Sequence, residues 1–144
     1  MDHSLDRFER AQRSTYETAL RELQTGAKQS HWMWFIFPQI KGLGQSDMAR
    51  HYGIVDLVEA RSYLQHPILG RRLVQCTRTI LDRESPTVSR IFPPPDDLKF
   101  ASCMTLFSLV LDAPSEFEEA IDKLLGGVRD AKTMKILKER WSRQ

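Results

Sequence analysis

Residues 31–44 read HWMWFIFPQIKGLG and hold the densest group of aromatic side chains in the chain. Four of the first seven residues of this segment are aromatic: Trp32, Trp34, Phe35 and Phe37. By composition the segment fits a buried strand. A lone strand would have no partner, because no alternating segments joined by tight turns occur elsewhere. We therefore predict a short helix that is capped by Ser30 and ends before Pro38.

The aromatic rings of this segment are expected to anchor the interior. Large apolar rings are usually buried, so Trp34, Phe35 and Phe37 are predicted to lie in the core. For Trp32 and His31 a core position and a boundary position remain open, because amphipathic side chains prefer a place where the ring is covered and the nitrogen is wet.

Helix signals extend to both sides of the aromatic segment. Apolar residues recur at steps of three and four over residues 4–24, which predicts one amphipathic helix that stops at Gly26. Asp56 and Glu59 have capping-box spacing and predict a helix over residues 57–65.

Prolines and glycines divide the second half of the chain. Pro67 fits the first position of a helix that ends near residue 83, and Ser85-Pro86 predicts a short helix to Phe92. Three prolines at 93–95 exclude helical backbone there. Further helices are predicted from Asp96 to Leu111, from Pro114 to Gly126-Gly127, and from Asp130 onward, the last with Met134, Leu137 and Trp141 on one face. The predicted fold is all-α: a single compact irregular bundle of about seven or eight helices, in one domain that spans residues 1–144.

Composition excludes several classes of protein. The chain has 144 residues, of which 41% are hydrophobic and 28% charged, as in ordinary globular domains. A net charge of +2 predicts no general attraction to nucleic acid or to a membrane. The N-terminus is charged from residue 2, unlike a signal peptide, and no uncharged run reaches the roughly 20 residues that span a bilayer. Cys76 and Cys103 lie in apolar stretches and are expected to be buried free thiols, which places the protein in the cytoplasm.

Two segments carry candidate binding residues. In HWMWFIFPQIKGLG, Trp32 offers a ring for stacking, while His31, Gln39 and Lys41 offer directional polar contacts. In PPDDLKF, residues 94–100, the helix start presents Asp96, Asp97 and Lys99. The alternative interpretation is structural: aromatic side chains in the core, and carboxylates that cap a helix and compensate its dipole.

The residues give little support to a metal site, a serine nucleophile or a nucleic-acid patch. The histidines do not pair at metal-ligand spacing and no cysteine adjoins them, so we predict neither a metal nor a cofactor. The motif of a serine nucleophile is absent. Six basic residues between positions 129 and 144 fit a solvated helix face better than a nucleic-acid patch, because no aromatic or glycine residues are interleaved with the charge.

Several motifs together resemble a known family. They are the aromatic segment, HYGI (51–54), YLQHPILGRRL (63–73), PPDDLKF (94–100), SCMTLF (102–107) and GGVRDAKT (126–133). Their order and coverage are similar to those of a bacterial family classed as a domain of unknown function, related to an uncharacterised mycobacterial hypothetical protein. The resemblance implies a compact all-α fold and no established activity or catalytic residues. Some members carry the label calpastatin, which this chain does not fit, because such inhibitors are disordered and poor in aromatic residues.

Two functional hypotheses follow from the sequence. The first is a cytoplasmic protein that binds, and in one version also processes, a small polar ligand of phosphate- or nucleotide-like chemistry. Its site brings together two groups of residues: His31, Trp32, Gln39 and Lys41, and Asp96, Asp97 and Lys99. The second is a protein–protein interaction module without catalytic activity. The sequence determines neither the oligomeric state nor whether a reaction is catalysed, and nucleic-acid binding is the least favoured possibility.

Overall fold

Helices account for all of the regular structure in the described part of the chain. The computed structural model describes residues 4–142, with side chains for residues 4–140. Its helices are α1 (Asp6–Arg13), α2 (Tyr16–Thr25), α3 (Met33–Ile36), α4 (Asp47–His51), α5 (Leu57–Gln65), α6 (Leu69–Leu81), α7 (Val88–Ile91), α8 (Asp96–Ser108), α9 (Glu116–Leu124) and α10 (Ala131–Ser142). The all-α prediction is confirmed, but the described residues form ten helices rather than seven or eight.

The first predicted helix is in fact two. The chain turns at Ser14 and Thr15, between α1 and α2, and the dihedral angles there stay close enough to helical to preserve the apolar spacing. The two halves pack against different partners, since α1 contacts α3 whereas α2 contacts α6. A straight helix could not make both contacts. Periodicity did not reveal the break, because the apolar spacing continues across it.

Helix α8 is the centre of the bundle. It contacts α5, α7, α9 and α10, and it is buried from Ser102 to Phe107 without interruption. A helix that is apolar on every side must be enclosed by other elements. Helix α6 provides the second layer and contacts α2, α5 and α9.

The aromatic segment enters this core at α3, and one of its tryptophans lies in a different place from the prediction. Phe35 and Phe37 are buried as expected, but Trp32 is fully buried whereas Trp34 is only partly covered. The ring of Phe37 lies 5.4 Å from that of Phe100 and 5.7 Å from that of Phe92, and Trp32 packs edge-on against Phe92 at 6.3 Å. The interior anchor is therefore Trp32, Phe35 and Phe37, and the prediction of a core position for Trp34 is wrong.

The carboxylate of Glu22 fixes the entry to this segment. Its Oε1 accepts hydrogen bonds from the backbone N–H of Gln29 (2.8 Å), the backbone N–H of Ser30 (2.9 Å) and the indole N–H of Trp32 (2.9 Å). The Ser30 hydroxyl donates to Oε2 at 2.6 Å. Ser30 therefore does not cap α3, whose N-cap position is Trp32. Burial acts to raise the pKa of Glu22, but the four hydrogen bonds outweigh it and lower the pKa to about 2.

An isolated β-bridge follows α3. The backbone N–H of Ile54 donates to the Gln39 carbonyl at 2.8 Å, and that of Lys41 donates to the Ile54 carbonyl at 2.7 Å, which makes an isolated parallel bridge between Ile40 and Ile54. The guanidinium of Arg140 on α10 donates to the carbonyls of Lys41 and Val55. These bonds hold both bridge segments against the last helix.

The remaining helix boundaries differ from prediction by a few residues. The helix predicted from Pro67 begins at Leu69, with Ile68 at its N-cap position. The Nδ1 atom of His66 accepts from the backbone N–H groups of Ile68 and Leu69. Asp96 is the first residue of α8 rather than its N-cap, and α8 ends at Ser108 rather than Leu111. The side chain of Trp141 lies outside the described residues.

We expect Glu22→Gln to remove part of the acid sensitivity of the fold. A folded-state pKa below the ordinary value of 4.5 means that the charged Glu22 contributes stability above that value, and that this contribution is lost as the pH falls toward about 2. Glutamine retains an acceptor oxygen but does not titrate. Urea unfolding between about pH 6 and pH 2.5 should show a smaller fall in the free energy of unfolding for Glu22→Gln than for the parent. Glu17→Gln, at an exposed position of the same helix, should keep the parental dependence. Parallel curves for the parent and Glu22→Gln would contradict the assignment.

We expect Gly70→Ala to destabilise the contact between α5 and α6. A Cβ at Gly70 would lie 2.1 Å from the carbonyl oxygen of Leu64, so the two helices would have to separate. In a helix free of such a contact, alanine is more stable than glycine by about 1 kcal/mol. Here the sign should reverse, with a loss of about 1–3 kcal/mol in thermal or urea unfolding. The adjacent exposed variant Arg71→Ala should unfold like the parent, and a stabilised Gly70→Ala would refute the close packing.

Candidate functional site

A cavity of about 640 Å³ lies where the aromatic segment meets the N-termini of α8 and α10. Its walls come from four places: residues 34–46 around the bridge, α4 with the Tyr52-Gly53 turn, the first turn of α8, and the start of α10. This volume is within the range of small-molecule sites, which run from about 300 to 1,000 Å³.

One wall of the cavity is aromatic and aliphatic. Trp34 and Tyr52 contribute rings, and Leu43 and Leu98 contribute aliphatic side chains. Leu98 is 64% exposed although it is a large apolar residue. Apolar side chains left uncovered at the edge of a cavity are typical of a surface that a ligand covers.

Lys99 brings a positive charge to this wall. Its ammonium lies 4.3 Å from the centre of the Trp34 ring, within the range of a cation–π contact. It also pairs with Asp96 Oδ1 at 3.4 Å, while Asp96 Oδ2 makes a closer pair with Lys28 at 2.8 Å. Asp96 therefore has a cation partner independent of Lys99.

The opposite wall is the start of α10. Asp130 caps the helix through Oδ2, which accepts from the backbone N–H of Thr133 at 2.9 Å and from its hydroxyl at 2.6 Å. Two polar residues in the buried stretch of α8 attach this cap to the core. Thr105 accepts from the Asp130 backbone N–H at 2.8 Å, and the Ser102 hydroxyl donates to Asp130 Oδ2 at 3.4 Å. Ser102 also bonds the Leu98 carbonyl one turn back, at 3.0 Å.

Lys132 is the second cation in the lining. It is exposed in the first turn of α10, and none of the ion pairs among the described residues includes it. A cation at that position opposes the helix dipole, which favours negative charge at an N-terminus. Lys132 is therefore placed where it destabilises the helix slightly and where it can reach an anion in the cavity.

The structure brings the two predicted segments together, but only through some of the predicted residues. Gln39 and Lys99 line the cavity. The other five do not, and each has a visible reason. His31 and Lys41 are exposed elsewhere, Trp32 is buried against Glu22, Asp96 pairs with Lys28, and Asp97 accepts from the Leu98 backbone N–H at 2.9 Å.

The aromatic and charged residues of the lining that were not among the predicted site residues are Trp34, Tyr52, Asp130 and Lys132. The sequence predicted a helix start at Asp130 and a solvated basic face that includes Lys132. It did not predict that either residue would line a cavity. The polar pair Ser102 and Thr105 within an apolar helix was the one available signal, because each needs a polar partner from another element.

Both cysteines of the described residues are buried free thiols. Burial raises the pKa of the Cys76 thiol to about 12 and raises that of Cys103 well above its usual range, so neither forms a thiolate nucleophile at neutral pH. Within residues 4–140, no three His, Cys, Asp or Glu side chains are grouped to hold a metal ion. None of the described helices has the length and hydropathy to span a bilayer.

Comparison with known proteins gives one family and one solved structure. The sequence model of the family described as "Protein of unknown function (DUF1810)" matches residues 2–137. The crystal structure of the conserved hypothetical protein Rv1873 from Mycobacterium tuberculosis is similar, with 46% identity and a TM-score of 0.90. The match covers 93% of this chain and 96% of that one. No curated protein matches the sequence. The two descriptions name no activity.

The position of Lys132 predicts that removing it makes the free protein more stable. Relief of the unfavourable interaction with the α10 dipole should raise the free energy of unfolding of Lys132→Ala by about 0.3–1 kcal/mol. Lys135→Ala, one turn later on the same helix and also exposed, provides the control for the loss of a lysine. Urea unfolding at low ionic strength measures both. A Lys132→Ala variant less stable than Lys135→Ala would show that Lys132 has a structural role.

Proposed function

The chain belongs to the DUF1810 family, and we propose that it binds a small organic anion, of phosphate- or nucleotide-like chemistry, in the cavity between the aromatic segment and α10. The supporting observation is the convergence of Lys99 and Lys132 on one concave site with an apolar wall. The proposal is for binding and assigns no reaction to the site.

Charge within the cavity favours an anion. The charged residues of its lining are Lys99, Lys132 and Asp130, which leaves a net charge of +1. Asp130 Oδ2 is occupied by the bonds that cap α10. The two ammonium groups are more available, because Lys132 has no ion-pair partner among the described residues and the Asp96 partner of Lys99 is held by Lys28. A positive net charge and two ammonium groups favour a ligand that carries negative charge.

Shape and polarity favour a molecule larger than an inorganic ion. Binding sites for small molecules are mainly apolar, with a few polar groups that fix orientation. Here Trp34, Tyr52, Leu43 and Leu98 supply apolar area, and Gln39 supplies an amide within the same lining. Inorganic phosphate would leave that wall uncovered.

The interaction-module alternative lacks a comparable feature. A shallow groove lies between α5 and α10, lined by Leu57, Met134 and Leu137 with two lysines at its edge. Nothing among the described residues indicates a specific partner for it. The cytoplasm fits the proposal, because Cys76 and Cys103 are both buried free thiols, which are usual in a reducing compartment.

Thermal-shift measurements with a panel of organic phosphates test the proposal. Ribose 5-phosphate, AMP and UMP are suitable probes, at concentrations up to about 10 mM. A ligand at about 100 times its Kd stabilises the folded state by about 2.7 kcal/mol, which is a shift of several degrees in Tm. At least one probe should produce such a shift, and Lys99→Ala and Lys132→Ala should reduce it by more than half.

Lys135→Ala is the matched control and should respond like the parent, because Lys135 lies on α10 but outside the cavity lining. If no probe shifts the Tm, or if both cavity variants keep the full shift, the proposed function is wrong.

A further inference from the structure

We infer that the ligand of this cavity is a mononucleotide whose base stacks on the indole of Trp34, at the face that the Lys99 ammonium now covers. This inference rests on the proposed function, and it adds the chemical class of the ligand and a role for two residues. Trp34 holds the base, and Lys99 turns from the indole to the phosphate.

The indole of Trp34 differs from the other tryptophan and phenylalanine rings of the aromatic segment. Ring-to-ring contacts join the other members of the aromatic segment to the core: Trp32 with Phe37 and Phe92, Phe35 with Tyr52, and Phe37 with Phe100. No ring of the described residues packs against Trp34, whose one aromatic interaction is with Lys99. A partly covered indole that lines a cavity offers a face for a flat ligand ring.

The Lys99 ammonium is free to leave that face. Its contact with Asp96 Oδ1 is long, at 3.4 Å, and the carboxylate stays neutralised by Lys28 at 2.8 Å if Lys99 moves. Lys28 is itself held over the Trp32 ring, 5.2 Å from its centre, and does not line the cavity. Displacing Lys99 therefore leaves no buried carboxylate without a partner, which is the usual penalty for such a movement.

The two parts of a mononucleotide match the two parts of the cavity. The base would cover Trp34 and the exposed side chain of Leu98, and the phosphate would pair with Lys99 and Lys132. A nucleoside would offer neither lysine an anionic group, and a sugar phosphate would offer the indole no aromatic ring to stack on. Since both interactions contribute, a molecule that has both parts should bind more tightly than either fragment.

Calorimetric titration with AMP, adenosine and ribose 5-phosphate separates these contributions. We expect AMP to bind the parent at least about tenfold more tightly than ribose 5-phosphate, which is the usual size of one base-stacking contact. In Trp34→Ala the two phosphates should bind with equal affinity, close to that of ribose 5-phosphate for the parent. Trp34→Phe should retain part of the preference for AMP, because phenylalanine still offers a ring.

Intrinsic fluorescence provides a second readout that does not depend on the alanine variant folding. AMP should quench tryptophan emission of the parent, and the quenching should be absent in Trp34→Phe, although calorimetry still detects binding. UMP should behave like AMP, because stacking tolerates any base.

The outcomes distinguish this inference from the proposed function. Equal affinity of the parent for AMP and ribose 5-phosphate would overturn base stacking and leave the anion site intact. Quenching that persists in Trp34→Phe would also overturn it. If none of the three molecules binds, both the inference and the proposed function fail.

Discussion

The structure depends on one carboxylate and the segment that it holds. Glu22, near the end of α2, accepts two backbone N–H groups, a hydroxyl and an indole N–H within a stretch of four residues. A buried indole N–H needs an acceptor. Because Glu22 provides one at Trp32, Trp32 rather than Trp34 lies in the core. With Trp32 held inward, α3 continues for a single turn and leaves Trp34 at the edge of the bundle. The aromatic wall of the cavity is a consequence of that choice.

Hydrogen bonds to buried polar side chains also join the opposite wall of the cavity to the core. Helix α8 is buried without interruption from Ser102 to Phe107, and Ser102 and Thr105 of this stretch both bond Asp130 at the start of α10. At the far end of α10, the guanidinium of Arg140 donates to the carbonyls of Lys41 and Val55, each next to a bridge residue. The last helix is therefore fixed at one end by the central helix and at the other by the bridge. The start of α10 that lines the cavity is therefore held against the central helix.

Local signals in the sequence predicted the class of the fold and most of its helices, because caps, glycine stops and apolar spacing act over a few residues. Gly26 adopts a left-handed conformation at the end of α2, and Asp56 accepts the backbone N–H of Glu59, as their positions suggested. The features that failed are long-range. Periodicity cannot show that α1 and α2 face different neighbours, nor that Glu22 selects Trp32 over Trp34. For the same reason the sequence named two segments that both line the cavity, through Gln39 and Lys99, together with five residues that do not line it.

The opposite environments of the two indoles are the central claim, and hydrogen exchange of the indole N–H groups measured by NMR tests it most directly. The Trp34 and Trp141 signals are assigned by their loss in Trp34→Phe and in Trp141→Phe, which leaves the third indole signal to Trp32. The Trp32 signal should exchange slowly, because its N–H is buried and bonded to Glu22 at 2.9 Å. The Trp34 signal should exchange fast, since its ring borders an open cavity. A protected Trp34 together with a rapidly exchanging Trp32 would contradict the account.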